Sequence, residues 1–145
     1  MSNIVVRRLH PADAGEIARI SSSITGAAHR ADFHEVIGRQ AQSEGDASFV
    51  AERDNILVGY CISYVVSGSF GMEKSAWLAL IGVDPNFMGQ GIGEMLAKEV
   101  FSHYKARGIT SIYTSVRWDS TDMLSFFKTL GFQRSDYINL HKSLE

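Results

Sequence analysis

Eleven consecutive residues hold the densest chemical signal in the chain: Val83-Asp84-Pro85-Asn86-Phe87-Met88-Gly89-Gln90-Gly91-Ile92-Gly93. Three glycines alternate at its end. Glycine accepts positive φ and lets the backbone approach a ligand closely, so successive N–H groups can converge on one anion. A helix starting at this point adds roughly half a positive charge in the same direction. The spacing suits a cradle for pyrophosphate.

Two other phosphate loops do not fit. A dinucleotide fingerprint, G-x-G-x-x-G, would need glycine where Glu94 or Leu96 stands. A P-loop would need Gly-Lys followed by Ser or Thr, and the chain has no such tripeptide.

Few other side chains form a reactive group. Cys61 is the only cysteine, so an internal disulfide and a multi-cysteine zinc site are both excluded. It reads as a small buried hydrophobe on a strand, because no activating base lies near it in sequence. His29, Asp32 and Glu35 match no strong metal-ligand spacing, and no metal is expected. His10, His103 and His141 stand alone, and capping or surface roles account for them.

With 145 residues and 45% hydrophobic content, the chain fits a single domain over 1–145 with a real core. Formal net charge is 14 − 16 = −2, which argues against non-specific binding of nucleic acid. No apolar run approaches the ~18 residues of a membrane span. Met1-Ser2-Asn3-Ile4 lacks a leader's basic and apolar regions, so the expected location is cytoplasmic.

The elements that must position the glycine loop follow from periodicity. Ile4 to Leu9 reads as a strand, and Pro11 opens a helix with Ile17 and Ile20 inward. A second helix is expected from Ala31 to Glu44. Ala47 to Arg53 and Ile56 to Val66 form a hairpin about Asp54-Asn55. In the second of these strands, alternation groups Ile56, Val58, Tyr60, Ile62, Tyr64 and Val66 on one face. Both faces are apolar, so the strand should be central and covered on both sides. Ser75 to Asp84 is a further strand, and Gly91 to Arg107 the long helix after the loop. Thr110 to Arg117 reads as a strand. A helix follows, capped by Asp119, Ser120 or Thr121 and closed by Gly131. Two short strands are expected between Phe132 and Leu144. The order β-α-α-β-β-β-α-β-α-β-β implies an α/β (α+β) domain with a mixed sheet between helices.

At this point the chain resembles the GNAT superfamily of acyl-CoA-dependent N-acetyltransferases. Its pyrophosphate loop, Gln/Arg-x-x-Gly-x-Gly/Ala after Val-x-Pro, is similar to Met88-Gly89-Gln90-Gly91-Ile92-Gly93 after Val83-Asp84-Pro85. Met88 departs from the polar first position. The opening Val6 to Asp13 and the segment Phe127-Lys128-Thr129-Leu130-Gly131-Phe132 also look like family segments. The resemblance implies a mostly antiparallel GNAT-like sheet. It also implies acetyl-CoA as acyl-donor cosubstrate, with Ile81 and Val83 pairing the pantetheine arm and Met88, Gly89, Gln90, Gly91, Ile92 and Gly93 holding the pyrophosphate. Ser120 and Phe127 occupy cofactor positions where the family often has Asn and a proton-donating Tyr.

The reaction so implied is direct acetyl transfer to a primary amine of a small molecule or a protein, with a homodimer as a further possibility. The strand Trp77 to Val83 offers no carboxylate as base, so Glu73, Glu35, His34 and His29 remain the sequence candidates. The expected acceptor site lies between the first two helices and the loop from Ser67 to Ser75. A competing reading is an acyl-CoA-binding regulatory module without turnover, which Phe127 and the bare strand favour. A domain binding no nucleotide leaves the alternating glycines unexplained.

Overall fold

The computed structural model describes residues 3–25, 33–42, 46–67 and 73–145. Its strands are β1 (Ile4–Arg8), β2 (Phe49–Arg53), β3 (Ile56–Val66), β4 (Ser75–Val83) and β5 (Ile112–Thr114). Its helices are α1 (Ala14–Thr25), α2 (Phe33–Ala41), α3 (Ile92–Ala106) and α4 (Thr121–Thr129). The strands lie in sequence order, β1-β2-β3-β4-β5. All neighbours are antiparallel except β4 and β5, which run parallel. This is the mixed, mostly antiparallel sheet expected from the sequence, with β3 at its centre.

The helices cover both faces. Ile17 and Ile20 of α1 and Ile37 of α2 are fully buried against Leu57, Tyr60 and Ile62 of β3. On the other face Ile92, Leu96, Val100 and Tyr104 form the inward stripe of α3. They pack on Val58, Cys61, Ala76 and Leu78, and Phe127 of α4 joins them. Each large aliphatic side chain buried this way contributes about 1.5–3 kcal/mol. Tyr104 also carries a polar connection through the core. Its hydroxyl meets Ser63 Oγ at 2.7 Å and accepts the Ala47 N–H at 2.9 Å.

The start of α1 is fixed by a capping arrangement. Pro11–Asp13 forms a short 3₁₀ turn in which His10 Nδ1 accepts the Ala12 N–H at 3.1 Å. Asp13 accepts from the His10 N–H at 2.8 Å and from both terminal nitrogens of Arg7. Burial alone would raise the Asp13 carboxyl, but Arg7 and the His10 N–H hold it below its usual range. Of the capping and surface roles left open for His10, the structure shows the cap.

Two bulges depart from regular alternation. Ala51 pairs with Gly59 and Glu52 with Leu57, which leaves Val58 as an extra residue. The expected face of Val58, Tyr60 and Ile62 is accordingly corrected: Leu57 joins Tyr60 and Ile62, while Val58 turns to the α3 side with Cys61. A second bulge falls on β4, where Ile62 pairs with Leu80 and Ser63 with Leu78, so Ala79 is extra. An added residue reverses the facing of everything beyond it.

The C-terminal expectation is also corrected. No strand forms between Phe132 and Leu144, and residues 133–145 are all exposed. The segment keeps the alternation of a strand but pairs with no edge of its own sheet. Strand β5 is shorter than expected, because it is an edge strand paired on one side only. The second helix is described as Phe33–Ala41, and the expected ends at Ala31 and Glu44 lie outside the described residues.

Candidate cofactor cleft and its loop

Strands β4 and β5 are paired only from Ala76 to Leu78 and from Ile112 to Thr114. The last rung is closed by the Thr114 hydroxyl, which donates to Leu78 O at 2.8 Å. Beyond it β4 continues to Val83 without a neighbour on that side, so the sheet opens. The bulge at Ala79 decides what faces the opening. Before it, the Ala76 N–H reaches Ser111 O on the β5 side at 3.0 Å. After it, the Asp84 N–H reaches Val58 O on the β3 side at 2.8 Å. Strand alternation then turns the backbone groups of Gly82 and Leu80 toward β3, and those of Ile81 and Val83 toward the opening. Gly82 keeps this part of β4 close to β3: a Cβ there would lie 2.7 Å from the Tyr60 ring.

The loop after β4 is anchored by Asp84, which is 5% exposed. Its Oδ1 accepts the Asn86 N–H at 3.0 Å, capping the 3₁₀ turn Pro85–Phe87. Its Oδ2 accepts Arg19 Nη1 of α1 at 3.2 Å. On the far side of the loop Arg53 lies over the Phe87 ring, 5.7 Å from its centroid, and donates to Gln90 Oε1 at 3.2 Å. Met88, Gly89, Gln90 and Gly91 are exposed, and Ile92 is buried as the first anchor of α3.

Gly89 and Gly91 have φ of 83° and 78°, and a Cβ at either would meet nothing within 4 Å. The space above them is open. Gly91 is the N-cap of α3 and supplies no side-chain cap, so the first N–H groups of the helix keep their donors for a ligand. Gly93 serves differently: a Cβ there would come within 3.1 Å of the Phe126 ring, so its role is close packing of α3 on α4. An open edge with inward-turned backbone, beside an uncapped helix start, suits a thread-like ligand carrying an anionic group. Those are the features of a pantetheine arm with its pyrophosphate.

The remaining sequence candidates separate. Ser120 is the N-cap residue of α4, yet its hydroxyl makes no capping bond. Phe127 is 4% exposed and stands edge-on to Phe126 and Phe132, at 5.2 and 5.1 Å between ring centroids. The ring that a Cβ at Gly93 would meet is that of its neighbour Phe126. Glu73 is exposed, and Glu35 is exposed and paired with Arg39 at 3.3 Å. His29, Asp32 and most of the expected acceptor loop lie outside the described residues, as does the His34 side chain. Among the described residues no cluster of His, Cys, Asp and Glu could hold a metal. Nor is any described helix long and apolar enough to cross a membrane.

Sequence reading missed Arg19, Arg53 and Trp118. The first two reach the loop from elements far away in the chain. Trp118 is 87% exposed on the β5–α4 connection, two residues before Ser120. Cys61 is as expected: burial pushes its thiol up to about 12, so no thiolate is available near neutral pH. An aromatic disulfide reagent should leave the native protein unlabelled and modify one thiol per chain after denaturation. Rapid labelling of the native form would overturn the buried assignment.

The acetyltransferase (GNAT) family model matches residues 16–132, and the chain belongs to that family. An acetyltransferase of Pectobacterium atrosepticum is 32% identical over 108 residues, covering 74% of this chain and 72% of that protein. The mycothiol acetyltransferase of Amycolatopsis mediterranei is 30% identical over 101 residues. That match covers 68% of this chain, which spans only 34% of that longer relative. Among solved structures, the aminoglycoside N-acetyltransferase AAC(6′)-Iy in complex with CoA superposes with a TM-score of 0.83. The two are 15% identical, and the match covers 99% of this chain and 97% of the other.

Proposed function

We propose that the chain transfers the acetyl group of acetyl-CoA to a primary amine, belonging to a small molecule or to a protein N-terminus or lysine. The observation that carries this is the opened β4 edge, with the Ile81 and Val83 backbone turned into it beside the uncapped start of α3. Ile81 and Val83 would pair with the pantetheine arm, and the amides from Gly89 to Gly93 would hold the pyrophosphate. Met88 and Gln90 flank that cradle, with Gln90 tethered by Arg53. Ser120 offers a hydroxyl on the far wall, while Phe127 supports that wall from behind. An enzyme consuming acetyl-CoA needs the compartment that holds its donor, which favours the cytoplasm.

In the transfer the amine nitrogen forms a bond to the thioester carbonyl carbon, and the carbon–sulfur bond breaks. The ammonium form of the acceptor first loses a proton to water. Sulfur leaves as a thiolate, an acceptable leaving group because a thiol has a pKa of ~8.5, and the nitrogen gives its second proton to water as the neutral amide forms. The chain's own part is orientation, which contributes up to about 7–11 kcal/mol when reactants are held in near-attack geometry.

The test is acetyl-CoA with a broad amine and peptide panel, read by free thiol release and by the mass of the acetylated product. At least one acceptor should exceed the acceptor-free background clearly. Tight acetyl-CoA binding with no acceptor above background would replace this reading with that of a regulatory acyl-CoA-binding module.

A further inference from the structure

The stretch from Met88 to Gly91 has little of its own to hold it in shape. Gln90 stands between two glycines of positive φ, Gly89 at 83° and Gly91 at 78°. A Cβ at either glycine would meet nothing within 4 Å, so packing fixes neither joint. Met88 is apolar and 56% exposed, and gives the loop no polar hold. Among the described residues, one side-chain hydrogen bond restrains this stretch: Gln90 Oε1 accepts from Arg53 Nη1 at 3.2 Å.

Arg53 ends β2, where the hairpin turns at Asp54-Asn55, 37 positions before Gln90. Its guanidinium also lies over the Phe87 ring, so it touches the loop on both sides of Met88 and Gly89. Glycine has the most backbone freedom to lose, and every joint that must be ordered on binding subtracts from affinity. Holding the residue between two such joints removes part of that cost before the ligand arrives.

Charge acts in the same direction. Glu52 is taken by Arg7 at 2.8 Å, and Glu94, in the first turn of α3, by Lys98 at 2.9 Å. Among the described residues no carboxylate pairs with Arg53. A guanidinium stays charged at every working pH and carries five N–H donors. An uncompensated cation thus sits against a loop whose open amides suit an anion.

We propose that Arg53 is the positioning residue of the pyrophosphate loop: from β2 it fixes Gln90 between its glycine joints and lends the cradle a positive charge. The inference rests on the reading that this loop holds the pyrophosphate of CoA.

The experiment is calorimetry of CoA with the full-length wild type, Arg53→Met, Gln90→Met and the double variant. Methionine at position 53 keeps an unbranched stem over Phe87 and removes the donor and the charge. Gln90→Met alters only an exposed loop side chain, so it reads the tether independently of the hairpin's stability. All variants should melt within about 3 °C of the wild type. Arg53→Met should weaken CoA about five- to tenfold, and Gln90→Met about two- to fourfold. The double variant should match Arg53→Met within about twofold, because Gln90 acts through its tether. Raising salt to ~0.5 M should weaken the wild type more steeply than Arg53→Met. Unchanged affinity in either single variant would overturn the proposal. So would equal salt dependence with and without Arg53, or a double variant weakened by the product of the two single effects. A wild type that does not bind CoA at all would overturn the cofactor reading on which the clamp rests.

Discussion

Gly91→Val should abolish acetyl-CoA binding measurable by calorimetry, a loss of at least a hundredfold or about 2.7 kcal/mol. Gly91 holds a φ of 78° at the N-cap of α3, a region that a β-branched residue hardly enters. Valine would have to move the loop toward negative φ, which turns the neighbouring amides away from the point they share. It would also place two methyl groups in the open space above the loop. The damage stays local, because nothing packs against this position within 4 Å. Strain of ~1–2 kcal/mol is small beside a typical domain stability of 5–15 kcal/mol, so the fold should survive. Circular dichroism should therefore match the wild type while binding is lost. Affinity within threefold of the wild type would remove the cradle from the argument.

Local chemistry made this loop legible in the sequence. The glycine spacing, the Asp84-Pro85 turn and the apolar stripe of α3 all lie within one short stretch, and each acts on its neighbours. The hairpin about Asp54-Asn55 was legible for the same reason, since both residues take the positive φ such turns need. Features that depend on distant partners were not legible. The bulge at Val58 is set by the register of β2 on β3, and apolar residues on both faces hide the slip from any alternation count. The bulge at Ala79 controls which way Ile81 and Val83 turn, yet Ala79 looks like any other strand residue. Arg19 reaches Asp84 from 65 positions earlier in the chain, and nothing near Arg19 announces it. The two strands expected between Phe132 and Leu144 do not form, because alternation in a sequence does not supply the edge that a strand must pair with.

Turnover should rise nearly tenfold per pH unit between pH 7 and pH 9 with a lysine-like acceptor, close to a hundredfold in kcat/KM overall. A free alkylamine of pKa ~10.4 is deprotonated in only about one molecule in 2,500 at pH 7, and only that form attacks the thioester. The described cleft places no carboxylate on β4 to shorten that odds, and Glu35 and Glu73 are exposed side chains. The protein's own shifted groups leave this window almost clear. Asp13 is held low, so its contribution to stability is present above ~3.9 and is lost only as pH falls through its lowered folded value. Burial raises Tyr60 and Tyr104, whose contributions persist up to ~10 and fade only above it. Cys61 is raised by burial to about 12. Its stabilising effect is complete below the unfolded value of ~8.5 and begins to fade above it, costing about 1 kcal/mol at pH 9. That is too little to unfold the domain, so the slope reports the acceptor. An N-terminal α-amine of pKa ~7.7–8.0 should instead level off near pH 8, which lets one profile separate the two acceptor classes. A flat profile from pH 7 to 9 with a lysine-like amine would show that the enzyme supplies a base of its own, and the solvent route argued here would be wrong.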